Sequence, residues 1–151
     1  TLHAPTELEL TLRSEILRRP ARAPDWRPRA AEIAALETKL QVRLVPRSQV
    51  PTDGLVLRTA SAPARCDDTV LAALAPIASL IVEAELARTR VTDAGLAALA
   101  SWENLRAVDL TRTAITSTGL APLARLQALE TLNLTDTGVD EQGWLRYAPH
   151  L

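Results

Sequence analysis

The chain has no methionine and no phenylalanine, and a single cysteine and a single tyrosine among its 151 residues. One thiol, Cys66, excludes an intrachain disulfide, and Ala64-Arg65-Cys66-Asp67-Asp68 offers no second Cys or His at metal-ligand spacing. Cys66 therefore reads as a small, partly buried filler. Aromatic residues make up 3% of the chain against 47% hydrophobic, so Leu, Ala, Val and Ile must fill the core. No apolar run reaches bilayer-spanning length, and the N-terminus lacks the basic-then-apolar layout of a signal peptide, so direct membrane insertion of this piece is not expected. A formal net charge of -1 lacks the basic footprint that neutralises a row of phosphates, and nucleic acid is not an expected partner. Thr at position 1 and the lack of Met read as a piece of a longer product.

Catalytic sets are also missing. His3 and His150 lie near the two ends with no Cys, Ser or acidic residue at useful spacing, and no Ser-His-Asp set, phosphate-binding glycine loop or metal cluster can be assembled. The expectation is a chain without enzymatic activity and without a cofactor.

What is present is organised helix, linker, strand, then a periodic region. Thr6-Glu7-Leu8-Glu9 has the spacing of a capping box and precedes Leu8, Leu12 and Ile16 on one helical face, with Pro20 closing the segment. Pro20, Pro24 and Pro28 stiffen a linker that also carries Trp26, read as a staple onto the core. A second helix is expected from about Pro28 to Leu40, with Ile33, Leu36 and Leu40 on one side. Val42 and Leu44, then Leu55-Val56-Leu57 after the Pro51-Thr52-Asp53-Gly54 turn, read as short strands. Thr59 to Asp68 reads as a loop and Thr69 to Ser79 as a helix that Pro76 kinks or ends early.

Gly95, Gly119 and Gly143 stand 24 residues apart, and the same step aligns the rest of the chain's second half. Ile81, Leu105 and Leu129 fall in one column, as do Ala84, Val108 and Leu132, and Leu86, Leu110 and Leu134. Further columns hold Thr89, Thr113 and Thr137; Val91, Ile115 and Val139; Leu96, Leu120 and Trp144; and Leu99, Leu123 and Tyr147. Leu71, Leu74 and Ile77 match Leu96, Leu99 and Trp102 at an offset of 25, which suggests an earlier, degenerate unit with Leu55 to Leu57 as its strand. The glycines are assigned to the turn entering each helix.

Leu105-Arg106-Ala107-Val108-Asp109-Leu110 matches the L-x-x-L-x-L core of a leucine-rich repeat, and Thr89-Arg90-Val91-Thr92-Asp93-Ala94-Gly95-Leu96 resembles the bacterial subtype with the signature T-x-V-T-D-x-G-L. Thr113 to Leu120 keeps the Thr and Gly but loses the Asp; Thr137 to Trp144 departs further. The resemblance implies an α/β fold: a short right-handed leucine-rich-repeat solenoid with about four strands in a parallel sheet and an N-terminal helical cap. The boundary is set between a capping segment at 1–54 and a repeat domain at 55–151.

A narrower likeness follows from the order of the helix near Ala30 to Leu40, Val42-Arg43-Leu44-Val45-Pro46, Leu55-Val56-Leu57, Asp67-Asp68 and then the repeats. That order resembles the C-terminal region of large bacterial envelope proteins that carry membrane helices and a cytochrome-c-like domain. It implies a periplasmic or envelope-associated setting beside a haem domain; with no Cys-x-x-Cys-His motif here, no haem role passes to this chain. The alternative is an effector-type leucine-rich-repeat adaptor that presents target proteins.

Either way the implied work is protein binding or structural support. Equivalent non-core positions of successive strands bring Glu85, Asp109 and Asn133 into one column and Arg88, Arg112 and Asp136 into another. These six are the candidate partner-binding residues on the strand face. The plainer reading is that they merely solvate the sheet and pair with each other across it.

Overall fold

A computed structural model describes residues 23–59 and 63–147, without the side chains of residues 146 and 147. The capping-box helix around Thr6, Pro20, Ser61, both histidines and the Tyr147 side chain lie outside what is described. The architecture is α/β, with a five-stranded, mostly parallel sheet in the order β1-β2-β3-β4-β5.

Helix α1 (Ala30–Leu40) follows a short 3-10 turn over Arg27–Arg29. Its Ala, Leu and Glu content favours helix, and Pro28 sits in the preceding turn where no intrahelical N–H is needed. Ile33 is buried and Leu36 and Leu40 pack against the core. The helix ends at Gln41, in the left-handed conformation at φ 59°, whose N–H returns to the Glu37 carbonyl. Trp26 packs partly buried against the same core, as a staple would.

β1 (Arg43–Pro46) and β2 (Leu55–Arg58) pair antiparallel, Leu44 opposite Leu57. The hairpin joins residues on both sides of position 54 into one sheet and adds a fifth strand to the four expected. Gly54 makes the return possible at φ 86°, and a side chain there would collide with Val82.

From β2 onward the neighbours are parallel: β2 with β3 (Ile81–Glu85), β3 with β4 (Ala107–Asp109), β4 with β5 (Thr131–Asn133). Ala84, Val108 and Leu132 are register partners, so the 24-residue step of the sequence is the step between strands. Between the strands run helices α2 (Asp68–Ala73), α3 (Asp93–Leu99) and α4 (Leu120–Leu123), and α5 (Glu141–Tyr147) follows β5. The helix expected from Thr69 to Ser79 is two pieces. Asp67 caps α2 by accepting the N–H groups of Thr69 and Val70, and a 3-10 stretch over Ala75–Leu80 replaces it where Pro76 has no N–H to give.

Leu86 and Leu110 are fully buried and Leu134 partly; the same holds for Val91, Ile115 and Val139. Each fully buried leucine removes enough apolar surface from water to stabilise the fold by about 1.5–3 kcal/mol. Leu71, Leu74 and Ile77 are buried with them, beside Trp102.

The three evenly spaced glycines lie in the first turns of their helices, as Gly119 does in the 3-10 turn Ser117–Gly119, but they serve more than the turn. Gly95 lies within α3, and Gly119, at φ -68°, needs no left-handed freedom. A Cβ on Gly95 would strike the Asp68 carboxylate, on Gly119 the Asp93 carboxylate, and on Gly143 the Ser117 side chain. Each carboxylate is held: Asp68 accepts the Thr92 N–H at 2.8 Å and the Thr92 hydroxyl, and Asp93 accepts the same two groups from Thr116, its N–H at 2.8 Å. In the next step the polarity reverses, with the Ser117 hydroxyl meeting Asp140. The glycines therefore make room for a side-chain latch between neighbouring helix starts.

Candidate partner-binding face

The helices cover one face of the sheet and leave the other to Glu83 and Glu85 of β3 and to the odd-numbered positions of β4 and β5. Register pairing places Arg58, Glu85, Asp109 and Asn133 side by side across four strands, each about 4.8 Å from the next. Asp109 and Asn133 are tied down locally. The Asp109 Oδ1 accepts the Thr111 N–H at 3.0 Å and its hydroxyl at 2.6 Å, and Asn133 Oδ1 does the same for Thr135 at 3.0 and 2.7 Å. These Asx turns end the strands. Glu85 precedes Ala87 instead of a threonine, and its carboxylate faces the Arg58 guanidinium at 3.5 Å.

Arg88, Arg112 and Asp136 lie beyond the strand ends, on the turns that follow, and all three hold the left-handed conformation at φ 61°, 55° and 55°. Two sets of bonds fix that backbone. Thr89, Thr113 and Thr137 donate their hydroxyls to the carbonyls of Leu86, Leu110 and Leu134 at 2.7 to 2.8 Å. The Arg88 and Arg112 N–H groups donate to Thr111 and Thr135 of the next turn at 2.8 and 2.9 Å. The side chains project into solvent from a rigid frame. Arg112 meets Asp136 at 3.3 Å with both more than half exposed, while the Arg88 guanidinium has no hydrogen-bonding or ionic partner among the described residues.

The six residues therefore form two rows, a strand row and a turn row. Five of the six are engaged within the fold by ion pairs or Asx turns, Glu85 through Arg58, and the arrangement agrees in part with mutual solvation. What it can do chemically is present charge at fixed positions. Among the described residues no group of three His, Cys, Asp or Glu comes together to hold a metal, and no helix is long and apolar enough to cross a membrane.

Several participants were not singled out in the sequence. Arg58 joins the strand row only through the bulge between β2 and β3, which breaks the 24-residue step. Arg47 pairs with Glu83 at 2.9 Å across 36 residues, which no periodicity announces. Arg106 and Glu130, also passed over, pair at 2.9 Å with an offset of 24, the signal that could have found them. Val82, on the same face, is fully buried and clusters with Ala23, whose N–H donates to the Thr52 carbonyl. Burial, with the Asp67 and Asp68 carboxylates adding to it, pushes the Cys66 thiol up to about 12, so it is an unreactive core group.

No family model, no curated protein and no solved structure matches the chain.

Proposed function

We propose that the chain is a short right-handed leucine-rich-repeat solenoid with a helical N-terminal cap, acting as a non-catalytic protein-binding or structural module within a larger bacterial envelope protein. The observation that carries the binding role is Arg88, a guanidinium without a partner among the described residues, held on a backbone that is itself hydrogen-bonded to the next turn. A charge fixed in this way loses little conformational freedom on docking. Arg112 beside it, and Glu85 and Asp109 along the neighbouring row, would set which charged surface fits. The envelope setting and a neighbouring cytochrome-c-like domain rest on the resemblance in the order of elements.

The test is to identify the partner by cross-linking through lysines and cysteines introduced around Arg88, then to measure its affinity for the Arg88→Glu/Arg112→Glu double variant. The expected result is binding about tenfold weaker with a shallower salt dependence and an unchanged melting temperature. Unaltered affinity would turn the rows into mere polar cover for the sheet.

A further inference from the structure

The two edges of the sheet are built differently. β1 carries exposed Arg43 and ends at Pro46, which has no N–H to offer another strand; charge and proline are common ways of blunting an edge. β5, Thr131-Leu132-Asn133, has neither. Inside the sheet, Leu86 and Leu110 donate their N–H groups to the carbonyls of Asp109 and Asn133, both at 2.9 Å, and Arg88 and Arg112 donate to Thr111 and Thr135. Leu134 and Asp136 stand at the same positions one step later, and among the described residues their N–H groups meet no acceptor. Beneath them Leu132, Leu134, Val139 and Trp144 are only partly buried, where their counterparts Val108, Leu110, Ile115 and Leu120 are closed off.

We infer that the open edge of β5 is a strand-addition site for an extended peptide with two alternating apolar residues flanked by arginine or lysine, added parallel to β5. The side-chain pattern comes from the register. An added strand would set its residues beside Glu130, Leu132, Leu134 and Asp136. The two leucines call for apolar side chains on the core side. The two carboxylates call for cations, and the sheet shows the match: Glu130 takes Arg106 at 2.9 Å and Asp136 takes Arg112 at 3.3 Å from the strand before. Arg106-Ala107-Val108-Asp109-Leu110-Thr111-Arg112 is that pattern, already lying along the other side of β5. Main-chain bonds would supply affinity and the flanking charges the selectivity. A second copy offers no such complement, because β5 against β5 would bring the same acidic set from both sides.

The experiment titrates a fluorescent, end-blocked peptide copying Leu105–Thr113 into the protein. Two further peptides each carry one backbone N-methyl group. At Ala107 the methyl blocks the N–H equivalent to that of Thr131, which donates to the Arg106 carbonyl at 3.0 Å; at Leu110 it blocks an N–H that points on to the following strand. The expected outcome is saturable binding, lost with the first methyl, retained with the second, and weakened about tenfold by Asp136→Lys, whose exposed side chain leaves the fold intact. Absence of saturable binding, equal loss with both methyl groups, or indifference to Asp136→Lys would overturn the proposal. So would a self-associated dimer in sedimentation that excludes the peptide.

Discussion

The Asp68 carboxylate receives both the N–H and the hydroxyl of Thr92, 24 residues further on, and fills the space that a side chain on Gly95 would need. Thr92, Asp93 and Gly95 of the sequence signature are thus parts of one joint: a donor to the preceding helix start, an acceptor for the following one, and the gap that lets the preceding carboxylate in.

Such a joint predicts non-additive mutations. Asp68→Ala should destabilise by about 1 kcal/mol through the loss of an acceptor shared by two donors. Gly95→Ala should displace the same carboxylate, offsetting the gain of about 1 kcal/mol that alanine normally brings to a helix. In the double variant the second change should then be neutral or stabilising, a coupling that urea unfolding of the four proteins measures. Simple additivity would show that the carboxylate is not held against Gly95.

Core depth differs along the column of leucines. Leu110→Ala should lower stability by about 2–5 kcal/mol, because it opens a cavity closed on both sides. Leu134→Ala should cost clearly less, since Leu134 is only partly buried at the edge. Denaturant midpoints for the two variants, with unchanged slopes, check the order.

Left-handed backbone at Arg88 sets a third expectation. Replacing Arg88 by Gly removes a Cβ from a conformation that disfavours one and should leave the melting temperature unchanged or higher, while Arg88→Val should lower stability by about 1–2 kcal/mol. Equal effects of both would mean that the turn relaxes to an ordinary conformation.

Cys66 should be silent to a thiol reagent at pH 8 in the folded protein and react once urea unfolds it. Its folded value lies above the ordinary 9.0, so the folded state keeps a proton that the unfolded state gives up. Its contribution is complete below pH 9 and is lost as the pH rises from 9 towards 12. Cys66→Ala should flatten that alkaline decline, which unfolding curves at several pH values would reveal; an equal decline in both proteins would assign it elsewhere.

The sequence was most informative where its period and the sheet's coincide. The columns through Leu86, Ala84 and Val91 could be read directly, because one residue type must recur wherever the same core position recurs. It was least informative where contact depends on chain reversal or on the bulge: the pairing of β1 with β2 and of Arg58 with Glu85 needs a turn geometry that Gly54 permits but does not dictate. The glycines show a third case. Their spacing was plain, but their purpose could be seen only once the carboxylate of the preceding helix start was in place. On the candidate face, the columns were legible, whereas the left-handed turns under Arg88, Arg112 and Asp136 were not, since arginine and aspartate give no signal of the glycine kind.

The constant register from Glu83 through Ala107 to Thr131 also fixes how this molecule can change length. An in-frame duplication of residues 105–128 would keep every strand and core column in register, but it would set Arg106 beside Arg106 and Arg112 beside Arg112 where Glu130 and Asp136 now supply the opposite charge. A gain or loss of one residue within a strand would instead turn leucines to solvent and carboxylates to the core. Size in such a chain comes in quanta, and its permitted growth runs along a single axis.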